Sequence, residues 1–201
     1  MKKFIKKVTF FGSATLGDST TVWQDAYNTA KFLAQNDYLI VDGGGPGIMS
    51  AATQGARSGG GKVIGVTLYP EDMKNFEGRD KDNILFKEIK AKNYLKRTFG
   101  LLEQGDCFVI FKGGSGTVSE FGMAWALAKL YYGHHKPIFL YGDFWKNILW
   151  AFEKNMEIDK EEEESLMIVN SPEAILWAIE RWEKKMGKLN HDDHPRGKYS
   201  L

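Results

Sequence analysis

The chain has 201 residues with 27 Lys and Arg against 26 Asp and Glu, a formal charge of +1. This length suits one large α/β domain with a substantial core, and the even balance gives no electrostatic ground for binding nucleic acid or an anionic membrane. Cys107 is the single cysteine and lies in the apolar run DCFVIF, which excludes an intrachain disulfide and fits a buried, inert thiol in a reducing cytoplasm.

The N-terminal MKKFIKKVTFFGSA places basic residues before an apolar stretch that is too short for a signal sequence core or a membrane span, so it reads as a strand with a basic lead-in. Strands are predicted at 8–12, 38–43, 62–68, 84–89, 106–111 and 137–142, with helices at 20–35, 47–59, 91–104, 116–132 and 144–156 between them. A short strand at 166–170 precedes a last helix opening at Ser171-Pro172-Glu173, a capping residue followed by proline at the first helical position. Strands alternating with helices predict parallel strands joined by crossovers, in a single domain over 1–186. The remainder, 187–201, is polar, lacks an apolar period and is expected to fray. His191, Asp192, Asp193 and His194 imitate a metal cluster there, but a short solvated tail offers no rigid ligand shell and no metal is assigned.

Two glycine clusters stand at strand-to-helix junctions. The first is Gly43-Gly44-Gly45-Pro46-Gly47, after YLIVD and before IMSAATQGARSG; the second is Gly113-Gly114-Ser115-Gly116-Thr117, after DCFVIFK and before VSEFGMAWALAKLYY. Glycines let the backbone approach a ligand, and the free amides and dipole of a helix start attract an anion, so each reads as a phosphate cradle; a tight packing turn is the alternative. Gly12 and Ser13, after the first strand, would form a third edge of the same crevice or simply turn the chain. Neither cluster is GxxxxGK[ST] or GxGxxG, which argues against a triphosphate P-loop and a dinucleotide site. Glu120 lies one turn into the second helix, where it either faces the ligand or closes a capping box with Thr117. Arg97 interrupts the apolar set of the helix KNYLKRTFGLLEQ, and residues alone leave it a solvated surface arginine.

KGGSGTVSE at 112–120, preceded by Arg97 and a strand, and GGGPGIMSAATQGA at 43–56 together resemble the LOG (Lonely Guy) family, often misannotated as lysine decarboxylases, over about residues 8–150. The resemblance implies a Rossmann-like doubly wound fold, commonly dimeric. It also implies phosphoribohydrolase activity that releases adenine or a cytokinin base and ribose 5-phosphate from a nucleoside 5′-monophosphate such as AMP, with Arg97 and Glu120 as the catalytic pair. Lys112 departs from the family's proline, Thr98 from its lysine or asparagine, and Ser119 and Ser50 from positions often acidic. A related branch resembles the molybdenum-cofactor carrier proteins, so binding without hydrolysis is the rival reading. No cofactor is expected, and no lysine spacing marks a pyridoxal site. The helix FGMAWALAKLYY is apolar on nearly all sides, which predicts a homodimer or, alternatively, cover from the C-terminal LWAIERW.

Overall fold

The computed structural model describes residues 3–130, 136–158 and 163–188. Seven strands form one parallel sheet: β1 (Lys7–Phe11), β2 (Leu39–Asp42), β3 (Val63–Thr67), β4 (Lys87–Lys90), β5 (Cys107–Ile110), β6 (Ile138–Tyr141) and β7 (Leu166–Val169). Their spatial order is β4-β3-β2-β1-β5-β6-β7. The chain first winds outward from β1 to β4, then returns to place β5 on the other side of β1. That reversal opens a crevice beyond the carboxyl ends of β1 and β5, the position where open α/β sheets hold ligands.

The strand sequences alternate between two cores, as a period of two requires. Val8, Phe10, Ile40, Cys107 and Val109 face one layer with α1 (Thr21–Gln35), α2 (Ile48–Ser58) and α6 (Pro172–Met186). Phe11, Val41, Phe108 and Ile110 face the other, with α3 (Tyr94–Gln104), α4 (Ser115–Leu130) and α5 (Phe144–Asn155). Both faces are therefore covered, and the central β5 and β6 are buried at every position, which explains their unbroken apolar runs. Cys107 is buried here as a packing residue.

Local chemistry sets the helix starts. The Thr20 side chain accepts from the Trp23 amide at 3.3 Å, Asn93 from Lys96 at 2.8 Å and Ser171 from Ala174 at 3.1 Å, with Pro172 opening α6 as read from the sequence. Two expectations change. The strand predicted at 84–89 pairs instead at Lys87–Lys90, because it lies at the sheet edge, where Ile84 and Phe86 are exposed and no buried face fixes the register. The C-terminal helix does not cover α4, since α6 packs on α1 in the opposite layer. The predicted His191–His194 cluster lies outside the described residues; among the described ones no acidic, histidine or cysteine group could hold a metal, and no helix is long and apolar enough to cross a membrane.

Candidate functional site

A cavity of about 320 Å³ occupies the crevice at the strand reversal. Its floor is the end of β1 and the Gly12-Ser13 turn, one wall is the start of α4, and the other is α3 with the segment joining β3 to β4. The Ser13 amide donates to the Lys112 carbonyl at 3.1 Å, tying the two turns on either side of the crevice.

The two glycine turns, alike in sequence, play different parts. Gly114, Ser115, Gly116 and Thr117 all line the cavity, and among the described residues the amides of Ser115, Gly116 and Thr117 have no protein acceptor. Three unpaired donors at the positive end of a helix of 16 residues make an anion site. Gly113 stands behind them, packed on the Thr117 side chain. From the first turn only Gly43 reaches the cavity; Gly44, Gly45 and Gly47 are buried beside it. The Ile48 amide, first in α2, is taken by the Ser13 carbonyl at 2.8 Å. The Gly44 carbonyl accepts from Asp80 N and from Asn83 Nδ2, at 2.9 and 3.2 Å, and Asn83 Nδ2 also reaches the Gly45 carbonyl at 2.7 Å. Arg79 donates to the Gly44, Asp80 and Asn83 carbonyls, so the segment from 69 to 86 is strapped across this turn.

Arg97 is 3% exposed, not the solvated arginine that helical position alone allowed. Its Nε donates to the Val66 carbonyl at 3.2 Å, and Nη2 lies 3.2 Å from the Gly43 carbonyl, the Met49 sulfur and Glu77 Oε1. The Phe76 ring centre is 5.2 Å from the guanidinium carbon. Such a side chain is fixed by its surroundings before any ligand arrives.

Glu120 faces the same cavity and is 8% exposed. The capping alternative fails, because α4 already begins at Ser115 and the Glu120 carboxyl bonds no helix-start amide among the described residues. Burial pushes its pKa up to about 8, opposed by the Arg97 charge and reinforced by Glu77. Asp42, fully enclosed at the end of β2, is pushed up to about 6 by burial, against the pull of its bonds to Thr53 Oγ1 and Gly44 N, each 2.7 Å, and of Arg97 and Arg79. Its bonds show a structural role in holding the first turn.

The sequence model of the SLOG cluster4 family matches residues 5–176. The chain belongs to the SLOG cluster4 family. Similar proteins include a probable cytokinin riboside 5′-monophosphate phosphoribohydrolase of Oryza sativa subsp. japonica, 30% identical over 175 residues. That alignment covers 79% of this chain and 65% of the rice protein, so the chain spans just under two thirds of its length. The cytokinin riboside 5′-monophosphate phosphoribohydrolase of Rhodococcoides fascians is 28% identical, over 69% of this chain and 68% of its own. The molybdenum cofactor binding protein of the phototrophic bacterium Rippkaea orientalis shares the fold, with a TM-score of 0.64 at 23% identity, covering 90% of this chain and 98% of that one.

Of the residues singled out in the sequence, Gly12, Ser13, Gly43, Arg97, Gly114 to Thr117 and Glu120 meet in this SLOG cavity. Sequence reasoning missed Met49, Asn75, Glu77 and Tyr94, which line it too. Met49 lies in the first turn of α2 within the run GGGPGIM and Tyr94 opens α3, so position beyond a strand end was the available signal for both. Asn75 and Glu77 sit in an irregular segment without motif or period, and nothing local marks them.

Proposed function

We propose that this SLOG protein is a phosphoribohydrolase that cleaves the N-glycosidic bond of a nucleoside 5′-monophosphate. The observation that carries this reading is the placing of a buried Glu120, without a partner among the described residues, one helical turn beyond three amides left open by those residues, with a fixed Arg97 across the cavity. The phosphate would sit on the Ser115, Gly116 and Thr117 amides, with the ribose between Glu120 and Arg97. In the reaction the C1′–N bond breaks with its electron pair leaving on the base, water oxygen bonds C1′, and one water proton ends on the base. The developing oxocarbenium charge faces a carboxyl group whose pKa lies close to working pH, which suits proton transfer in either direction. The relatives named phosphoribohydrolases support the same substrate class.

Action as a homodimer in a reducing cytoplasm belongs to this reading, as does independence of cofactor and metal. A ligand held intact, in the manner of a carrier, is the second reading; Ser119, where many LOG members place another glutamate, leaves one acid at this point of α4.

Incubation with AMP tests both. Adenine and ribose 5-phosphate should appear in equal amounts, whereas AMP bound and recovered whole would make the protein a carrier. Charge-assisted bonds to the phosphate are each worth on the order of 1.5–3 kcal/mol, so adenosine should bind at least about 100-fold more weakly than AMP. Equal affinity for both would remove the cradle from the account.

A further inference from the structure

The structure assigns a role to Glu77, which no motif marks: we propose that it is a positioning residue that holds the Arg97 guanidinium away from Glu120, so that the Glu120 carboxyl stays unpaired and available to a ligand. Glu77 comes from the segment between β3 and β4, and its Oε1 lies 3.2 Å from Arg97 Nη2. The same nitrogen donates to the Gly43 carbonyl at the end of β2, while Nε is held by the Val66 carbonyl of β3. These three bonds hold the guanidinium on the β2–β3 side of the crevice. Glu120, on α4, has no ion-pair partner among the described residues although it feels the Arg97 charge. One buried cation thus stands between two acids and pairs with only one.

The preference follows from how each acid is mounted. Glu77 has a side chain 24% exposed, so water pays part of the cost of its charge, whereas Glu120 is enclosed. An ion pair of Arg97 with the partly exposed acid costs less desolvation than one with the enclosed acid. Charge reaches Glu120 from Arg97 on α3 and from Glu77; Asp42, at the end of β2, acts on Arg97, and the Tyr94 phenol in the first turn of α3 lines the same cavity. Removing the Glu77 charge acts on Glu120 twice in one direction: a repelling neighbour disappears, and Arg97 loses the partner that holds it back.

This rests on the reading of Glu120 as the reacting acid, and the experiment keeps the two apart. In the full chain with carbon-13 in its glutamate side chains, the Glu120 carboxyl signal, identified by its loss in Glu120→Gln, is followed across pH without ligand or phosphate. Glu77→Gln should lower its midpoint by about one pH unit, a tenfold loss of proton affinity. Glu77→Asp, which keeps the charge, should stay nearer the wild type than Glu77→Gln does. The limb of the kcat/KM profile for AMP that Glu120 sets should shift with the midpoint. A midpoint unchanged or raised in Glu77→Gln, or equal in the Asp and Gln variants, would overturn the role of Glu77. Absence of adenine release with the midpoint shifted as expected would instead refute the hydrolase and leave the positioning intact.

Discussion

Glu120 is buried with no hydrogen-bonding partner among the described residues, and its burial ties stability to pH. Its identity was legible from KGGSGTVSE, but its titration was not, because the burial comes from segments distant in sequence, chiefly the end of β1 and the β3–β4 connection. For Arg97 likewise the motif gave the position, while its bonds to Val66, Gly43 and Met49 and its ion pair with Glu77 show why a charged side chain tolerates enclosure. The folded-state pKa of Glu120, near 8, stands above the ordinary 4.5. The folded chain keeps a proton that the unfolded chain releases in that interval, so the stabilisation is complete below 4.5 and is lost as pH rises through about 8. Glu120→Gln, permanently neutral, should match the wild type near pH 4 and exceed it above pH 8 by on the order of 5 kcal/mol. Urea unfolding at the two pH values measures this; a difference independent of pH would mean that Glu120 is not held protonated by burial.

At the scale of elements, the alternation of strand and helix was readable because both faces of the sheet are covered and the helices, α4 apart, have one apolar side turned to it. The equivalence expected of the two glycine turns did not survive, for a tertiary reason: the chain at Ser13 and the strap from 69 to 86 close over the first turn and leave the second open. Substitutions separate these roles. A methyl group at Gly47 would overlap the Ser13 carbonyl, and its φ of +68° disfavours a side chain, so Gly47→Ala should lose stability by about 1–3 kcal/mol or more. At Gly43 a methyl would meet the end of the Arg97 side chain instead of backbone. Gly43→Ala should therefore fold, with a smaller change in melting temperature, yet lose AMP turnover by about 100-fold as Arg97 is displaced. At Gly114 a methyl meets nothing within 4 Å, so Gly114→Ala should leave the melting temperature close to wild type. Calorimetric melting and adenine release, measured together, distinguish the three; Gly47→Ala melting like Gly114→Ala would refute the closed-turn account.

For the molecule as a whole, α4 poses the question of association. Its inner side packs Phe121, Ala124, Trp125 and Ala128 into the core with α5. Its outer side presents Val118, Gly122, Ala126 and Leu130, four positions one turn apart, and all are exposed, Val118 at 57% and Leu130 at 74%. The apolar surround was legible in the sequence; that α6 leaves it uncovered was not, because which sheet face a crossover helix packs on depends on strand order. Two large residues flanking two small ones give a surface on which a second α4 can approach closely, and a two-fold pairing would bury the same stripe on both copies. Trp150 of α5, 60% exposed, lies in the same layer and would widen the contact. Light scattering on the intact chain at micromolar concentration should give twice the 22.8 kDa of one copy. Ala126→Glu places like charges against each other at the centre of that pairing without entering the core, so it should yield a folded monomer with an unchanged circular dichroism spectrum. A wild-type chain that runs as a monomer, or a dimer indifferent to Ala126→Glu, would show that α4 is not the joining surface.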